Sequence, residues 1–375
     1  MTTIEEYAAG FREDPGYLNF AGVGPIGDTV VAEERAQAEL FSRARFGSLP
    51  AILDQEERVD AAVASLLGRR PDQVVFQPSR SQALMHVMFG LTGGLAMSPG
   101  EFPAVGYAAA RAAEALGVLV PHTITPERER LTPAVVRDQM ASSVVAVVVS
   151  LVDYRTGHLI DLEGIRQVIG DRLLIVDAIQ GAGIVEAPWE LCDIIVSGGQ
   201  TWLRAGHGTG FLALSDRARE QLTPVWSGWP AIGEMPDGPV HEIRPPQADA
   251  RAFRVSYADP GAQARLAGAV DEVLDVGVRV LRERVLERAS RVIDLLDEVG
   301  LPVVSPREDA ERAGIVVTEP APEQLSILTA ALHNHGVTAT ARGGRVRFAP
   351  HASTTDETLD LLRVSLAEYQ TATRV

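Results

Sequence analysis

Short, β-branched apolar runs recur along the chain, each followed at once by small or polar residues. Residues 173–176 and 194–196 are the clearest, and 74–76, 117–124, 144–149 and 211–214 are of the same kind. Runs this short, apolar without alternation, are the pattern of strands buried on both faces of a parallel sheet. Between them, apolar residues recur at helical spacing. Helices are predicted over 28–46 with Asp28 as N-cap, over 50–68 with Leu53, Val59, Val63 and Leu66 near one face, and over 81–91. Another opens at Glu101-Phe102-Pro103 and runs to Leu116, and Asp161 caps one over 162–169. Residues 17–24 form a strand-like run ending in a glycine loop. Residues 236–249, rich in proline and charge, read as a surface loop.

A second pattern begins near residue 260. Residues 260–300 read as a long helical stretch, broken or bent near Gly277. Leu281, Val285, Leu286, Ala289, Val292, Ile293 and Leu296 recur along it at helical spacing. Beyond it, strands at 302–305, 314–317, 337–341 and 345–349 alternate with helices at 322–335 and 355–369. The pattern predicts an α/β protein in three parts. These are an N-terminal segment (1–16), a large domain with a mostly parallel central sheet between helices (17–259), and a linking helix with a small C-terminal α/β domain (260–375).

Composition narrows the function. The chain has 375 residues, 46% hydrophobic and 22% charged, enough for one large domain and a smaller one. A net charge of −16 argues against nucleic acid or an anionic membrane as partner. No run approaches the roughly 18 apolar residues of a membrane span, and the acidic N-terminus lacks an apolar signal core. The single cysteine, Cys192, lies in an apolar setting and reads as a core thiol, which suits a reducing cytoplasm. No metal-ligand spacing, no G-x-S-x-G elbow and no G-x-G-x-x-G after the first strand is present. All 34 basic residues are arginine; there is no lysine.

Candidate chemistry gathers where strands end. The first of the two clearest strands delivers Asp177 and then Gln180; the second delivers Ser197, Gln200 and Thr201. The turn Ser79-Arg80-Ser81 joins a strand to a helix N-terminus, whose free N–H groups form an anion cradle. Ser79 and Ser81 fit that use. Arg80 either pairs with a phosphate or carboxylate or fills the space a phosphate needs.

The stretch VDAIQGAG (176–183), with S-G-G-Q-T-W-L at 197–203 and G-H-G-T-G at 206–210, resembles the class V aminotransferase family. That family, with cysteine desulfurases, kynureninase and isopenicillin N epimerase among its members, has the type I pyridoxal phosphate (PLP) fold. The resemblance spans about residues 17–366. It implies that Asp177 holds the pyridine nitrogen protonated, Gln180 contacts the ring hydroxyl and the turn at Ser79 and Ser81 holds the phosphate. Phe102 would stack on the ring, and Tyr154 or Arg155 would face the substrate. Arg347, in RVRFAPH, would grip the substrate carboxylate, with Arg342 and Arg345 as competitors and His351 behind them. Ser197 and Gln200 would flank the cofactor. The resemblance also implies a homodimer; the cluster Trp226, Gly228 and Trp229 reads as core or dimer packing.

The family's Schiff-base lysine falls at position 201, where this chain has Thr201, and its preceding histidine falls at Gln200. A hydroxyl cannot form an imine, and arginine stays protonated, so no other basic residue substitutes. Three functions follow. The first is an enzyme acting on a small amino-acid-like carboxylate, in specialised metabolism, with Thr201 or His207 carrying protons. It would hold PLP or pyridoxamine phosphate non-covalently, or use no cofactor. The second is an inactive homologue serving as a binding partner. The third is an ordinary PLP-dependent enzyme whose lysine has been replaced.

Overall fold

The computed structural model describes residues 2–234 and 238–373. Among these, the large sheet has seven strands: β1 (Val74–Phe76), β2 (Gly93–Met97), β3 (Leu119–Thr123), β4 (Val144–Ser150), β5 (Leu173–Asp177), β6 (Ile194–Gly198) and β7 (Gly210–Leu214). Their order is β1-β7-β6-β5-β4-β2-β3. The neighbours from β3 through β6 pair in parallel, and β7 runs antiparallel to both its neighbours. Every residue of β5 and β6 is buried, as their unbroken apolar runs require. Helices cover the sheet, and the two apolar cores lie on its opposite faces.

Local signals explain the helix starts. Ser79 accepts a hydrogen bond from Gln82 N at 3.1 Å and so caps the helix Arg80–Gly90. Asp161 does the same for Gly164 N at 2.8 Å, opening Leu162–Ile169. Pro103 occupies the first turn of Pro103–Leu116, where no N–H is needed. Asp28 is not a cap: Gly27 takes that place, and Asp28 is the first helical residue of Asp28–Arg43. The helix expected over 50–68 is two, Leu49–Leu53 and Gln55–Leu67, hinged at Asp54. Strand β2 carries no sequence signal strong enough to predict it, whereas the unpredicted helix Pro133–Gln139 has one in its Thr132 cap and first-turn Pro133. The β2 sequence GGLAM is poor in β-formers, and pairing with β3 and β4 overrides that weakness.

A small three-stranded sheet, β8 (Val316–Thr318), β9 (Thr340–Arg342) and β10 (Arg345–Phe348), has the order β8-β10-β9 and is antiparallel. The strand expected at 302–305 reduces to a single bridge, Val303 to Thr318. The helices Leu325–Asn334 and Asp356–Thr373 contribute to this smaller core, as does the later part of Val278–Glu298. The helix Pro260–Val276 instead packs against Asp28–Arg43 and Gln55–Leu67 and shares the large core. The division between cores therefore falls inside Val278–Glu298, between Val285 and Ala289, rather than at residue 260. Residues 17–19 bridge the N-terminal segment to the small sheet, through Tyr17 to Thr338 and Asn19 to Ala349. Of the loop expected at 236–249, residues 236 and 237 lie outside the described residues; 238–245 are exposed. No helix among the described residues is long and apolar enough to cross a membrane.

Candidate active site

Parallel strands deliver their last residues to one edge of a sheet, where ligands bind. Here Ser150 ends β4 and Asp177 ends β5, in register with each other, and Gln200 and Thr201 follow β6. The small sheet presents Arg342, Arg345 and Arg347 toward this edge, and the loop at Ala21 and Gly22 closes another side. The cavity between them has a volume of about 560 Å³. Residues on the turns and the helix start that follow the large-sheet strands also line it, including Arg80, Phe102, Tyr154, Arg155, Ile179, Gln180, Gln200 and Thr201.

At its floor a guanidinium lies between a carboxylate and an aromatic ring. Arg80 Nη1 donates to Asp177 Oδ2 at 3.1 Å, and its Cζ stands 4.3 Å from the centre of the Phe102 ring. The pair is buried, Arg80 at 7% and Asp177 at 1% exposure. Asp177 Oδ1 accepts from Ile179 N at 3.2 Å, so both carboxylate oxygens are engaged. Burial pushes the Asp177 carboxyl upward, while Arg80 and the Ile179 N–H pull it down. Phe102 in turn meets Tyr154 edge to face, with ring centres 5.1 Å apart.

Neighbouring polar groups are occupied by the fold itself. Gln180 donates through Nε2 to Ala21 O at 2.9 Å and accepts from Trp202 Nε1 at 2.7 Å, tying three segments together. Thr201 donates its hydroxyl proton to Ile179 O at 2.8 Å, so that proton faces the chain and not the cavity. Gly24 donates to Gln200 O at 2.7 Å, and a Cβ on Gly24 would overlap the Thr201 carbonyl oxygen. Glycine is needed there for close approach of the two segments.

The arginines expected to compete for a substrate carboxylate separate cleanly. Arg345 is bound to Glu129 at 2.9 Å and Glu319 at 2.7 Å. Arg155 is bound to Asp153 at 2.8 Å. Arg342 is exposed at the rim. Arg347 is half-buried, donates through Nη1 to Tyr154 O at 3.0 Å, and has no carboxylate partner among the described residues. Burial pulls its pKa down. A guanidinium in that state keeps donors that an anion could accept from.

Four expected residues do not join this group. Ser79 is committed to capping its helix, and Ser81 is exposed on the next turn; neither lines the cavity. Ser197 is wholly buried within β6, where its hydroxyl reaches only the carbonyl of Gly198 at 3.3 Å. His207 is exposed, its carbonyl accepting from Arg265, and it does not line the cavity. His351 is buried instead against Phe20 and Trp202, with Nε2 3.3 Å from Trp202 O, and burial holds its pKa well down. Cys192 is the buried thiol expected, pushed up to about 12 by its surroundings.

Sequence reasoning passed over Glu101. Its carboxylate accepts from Ser150 N at 3.2 Å and from the Ser150 hydroxyl, one strand from Asp177. Burial pushes it up to about 7. Its place beside Phe102, in the short loop before a proline-opened helix, was the available signal.

The groups that the resemblance assigns to a pyridine ring do not fit one as they stand. The Phe102 face is covered by Arg80, the Asp177 oxygens are taken, and Gln180 is bonded at both ends. Position 201 offers no amine.

Known proteins share the fold. The apo cysteine desulfurase of Thermococcus onnurineus NA1 superposes with a TM-score of 0.84 at 18% identity, covering 96% of this chain and 95% of that one. The Escherichia coli cysteine desulfurase CsdA gives 0.84 at 16%, covering 99% of each. A lysine-to-alanine variant of C-DES, with glycine covalently linked to its PLP cofactor, gives 0.84 at 17%, covering 94% and 96%. These likenesses establish the type I PLP-dependent architecture. In sequence, an uncharacterized aminotransferase of Bacillus subtilis (strain 168), YcbU, is 25% identical over 306 residues, 78% of each chain. The profile of class-V aminotransferases matches residues 51–375, most of the chain, and with that match the chain belongs to the aminotransferase class-V family.

Proposed function

We propose that this chain is an enzyme of the class-V family that works without a lysine-linked cofactor, on a small amino-acid-like carboxylate bound at Arg347. The observation carrying this reading is the state of Arg347: half-buried, facing a cavity of about 560 Å³, with no carboxylate of its own among the described residues. A planar fork in that position takes a carboxylate through two parallel hydrogen bonds. The absence of lysine from the sequence removes the covalent anchor that the family's chemistry uses.

The cavity's residues bind and orient; they supply few protons. Arg347 fixes the carboxylate, and Tyr154, whose carbonyl holds Arg347, places its ring against Phe102 at the wall. Glu129 and Glu319 also line the cavity, both paired with Arg345, and as carboxylates they can carry a proton there, whereas the Gln200 amide can only hydrogen-bond. A homodimer in the cytoplasm completes the reading, and the exposed apolar side chains Phe46, Ile243 and Tyr257 offer contact surface for a second copy.

Calorimetric titration with a panel of amino, hydroxy and keto acids tests the proposal, with each binder then followed by NMR for conversion. At least one carboxylate binds and is converted, and Arg347→Gln loses the binding. A panel in which none binds overturns the reading. Ligands that bind but are never converted identify a binding homologue instead.

A further inference from the structure

Five arginines line the cavity: Arg80, Arg155, Arg342, Arg345 and Arg347. Asp177 answers the first, Asp153 the second, and Glu129 with Glu319 the fourth. Local positive charge is therefore left over inside a chain whose net charge is −16. A surplus of one sign inside a cleft, against the sign of the whole molecule, selects ligands of the opposite charge.

Arg80 decides where that charge lies. Its guanidinium is planar and delocalised, it lies over the Phe102 ring at 4.3 Å, and it is held by Asp177. A flat cation between an aromatic face and a carboxylate is the arrangement a protonated pyridine ring would make there. The guanidinium uses one N–H on Asp177. Its Nε is buried without an acceptor, and its Nη2 meets none among the described residues. Arg347 is in the same state: Nη1 engaged, Nε buried and unpaired, Nη2 without an acceptor. Arg80 lies over Phe102, Arg347 holds the backbone of Tyr154, the two rings touch, and both guanidinium heads line the one cavity.

We propose that Arg80 occupies the place of the cofactor ring permanently, and that with Arg347 it makes the cavity a site for a small dicarboxylate rather than for a vitamin B6 compound. This rests on the reading of Arg347 as the substrate's carboxylate site. It adds a second anionic group to the substrate and removes the cofactor. One carboxylate meets Arg347 at the wall; the other meets the free edge of Arg80 at the floor. Asp177 then serves to orient Arg80 and is a positioning residue.

Two binding measurements test this. In equilibrium dialysis, the native chain takes up neither PLP nor pyridoxamine phosphate, whereas Arg80→Ala, which opens the slot beside Asp177, takes up either one. Uptake by the native chain as tight as by the variant overturns the proposal. In calorimetry, short dicarboxylates bind about tenfold or more tighter than their monomethyl esters, the worth of one charge-assisted contact. Arg80→Gln erases that preference. Equal binding of diacid and ester, or a preference that survives Arg80→Gln, overturns the inference and leaves the single-carboxylate reading standing. If neither diacid nor ester binds, the underlying reading falls with it. Should Arg80→Ala fail to fold, the native-chain measurements and Arg80→Gln still decide.

Discussion

Arg80 Nη1 stands 3.1 Å from Asp177 Oδ2, inside a site where the family's resemblance assigns Asp177 to a cofactor nitrogen. The carboxylate has kept a cationic partner, and the chain supplies that partner itself. Arg80 is the first residue of its helix, directly after the Ser79 cap, so its side chain projects from a fixed point toward the end of β5.

This pair predicts a stability effect that burial alone does not. Asp177→Asn leaves the Arg80 guanidinium buried without its counter-charge and lowers stability by about 3 kcal/mol. Replacing both residues, Arg80→Met with Asp177→Leu, restores much of that loss, because two apolar side chains carry no desolvation penalty. Urea unfolding of the native chain, Arg80→Met, Asp177→Leu and the double variant, the four corners of a double-mutant cycle, measures the coupling. Additive losses would show that the pair does not interact.

Arg347 should behave in the opposite way. It has no carboxylate partner among the described residues, and burial already pulls its pKa down. Arg347→Gln is expected to change stability by no more than about 1 kcal/mol, while weakening carboxylate binding roughly 10- to 100-fold. Arg347→Lys recovers little of the affinity, since an ammonium has no planar fork. A large stability loss with unchanged affinity would assign Arg347 to the fold instead of the ligand.

Much of this is legible in the sequence, and the parts that are not have distinct physical causes. The strands ending at Asp177 and before Gln200, the Ser79 turn, and the placing of Phe102, Tyr154 and Arg347 near one site follow from local pattern and family likeness. The sequence left Arg80 between two uses, pairing with an anion or filling space. The structure combines them, since the anion is Asp177, 97 residues away. In sequence pattern Arg345 is equivalent to Arg347; its partners Glu129 and Glu319 lie far from it along the chain. His207 looked close to Thr201, but the glycines around it carry the loop outward to solvent. Ser197 failed for a simpler reason, since a residue within a strand buried on both faces need not reach the edge. Periodicity reports which face a residue takes, and long-range ion pairs lie beyond it.

Restoring the amine tests whether the missing lysine is the sole obstacle. Thr201 lines the cavity, so a lysine there reaches it. Thr201→Lys alone is expected to give no borohydride-reducible imine with PLP, because Arg80 still covers Phe102 and holds Asp177. Thr201→Lys combined with Arg80→Ala gives the imine. Absorbance and the mass of the reduced adduct read the result. An imine in the single variant would show that the ring slot opens freely, and would favour a chain that has merely had its lysine exchanged.

Glu101 gives the chain a pH dependence with a defined sign. Its carboxyl is pushed up to about 7, against an ordinary value of 4.5. Burial is the main cause, with the two Ser150 donors opposing it and the Asp177 and Asp153 charges adding to it. Between those pH values the native chain keeps a proton that the unfolded chain has released. Deprotonation therefore favours the unfolded state. The contribution is fully present below about pH 4.5 and is lost as pH rises through about 7, amounting to at most about 3 kcal/mol. Glu101→Gln mimics the protonated carboxyl and removes this dependence. Unfolding free energies at pH 5 and pH 8 should therefore fall more steeply in the native chain than in Glu101→Gln. Parallel lines for the two chains would place the ionised carboxylate in a solvated setting, and would also remove Glu101 as a group holding a proton beside Asp177.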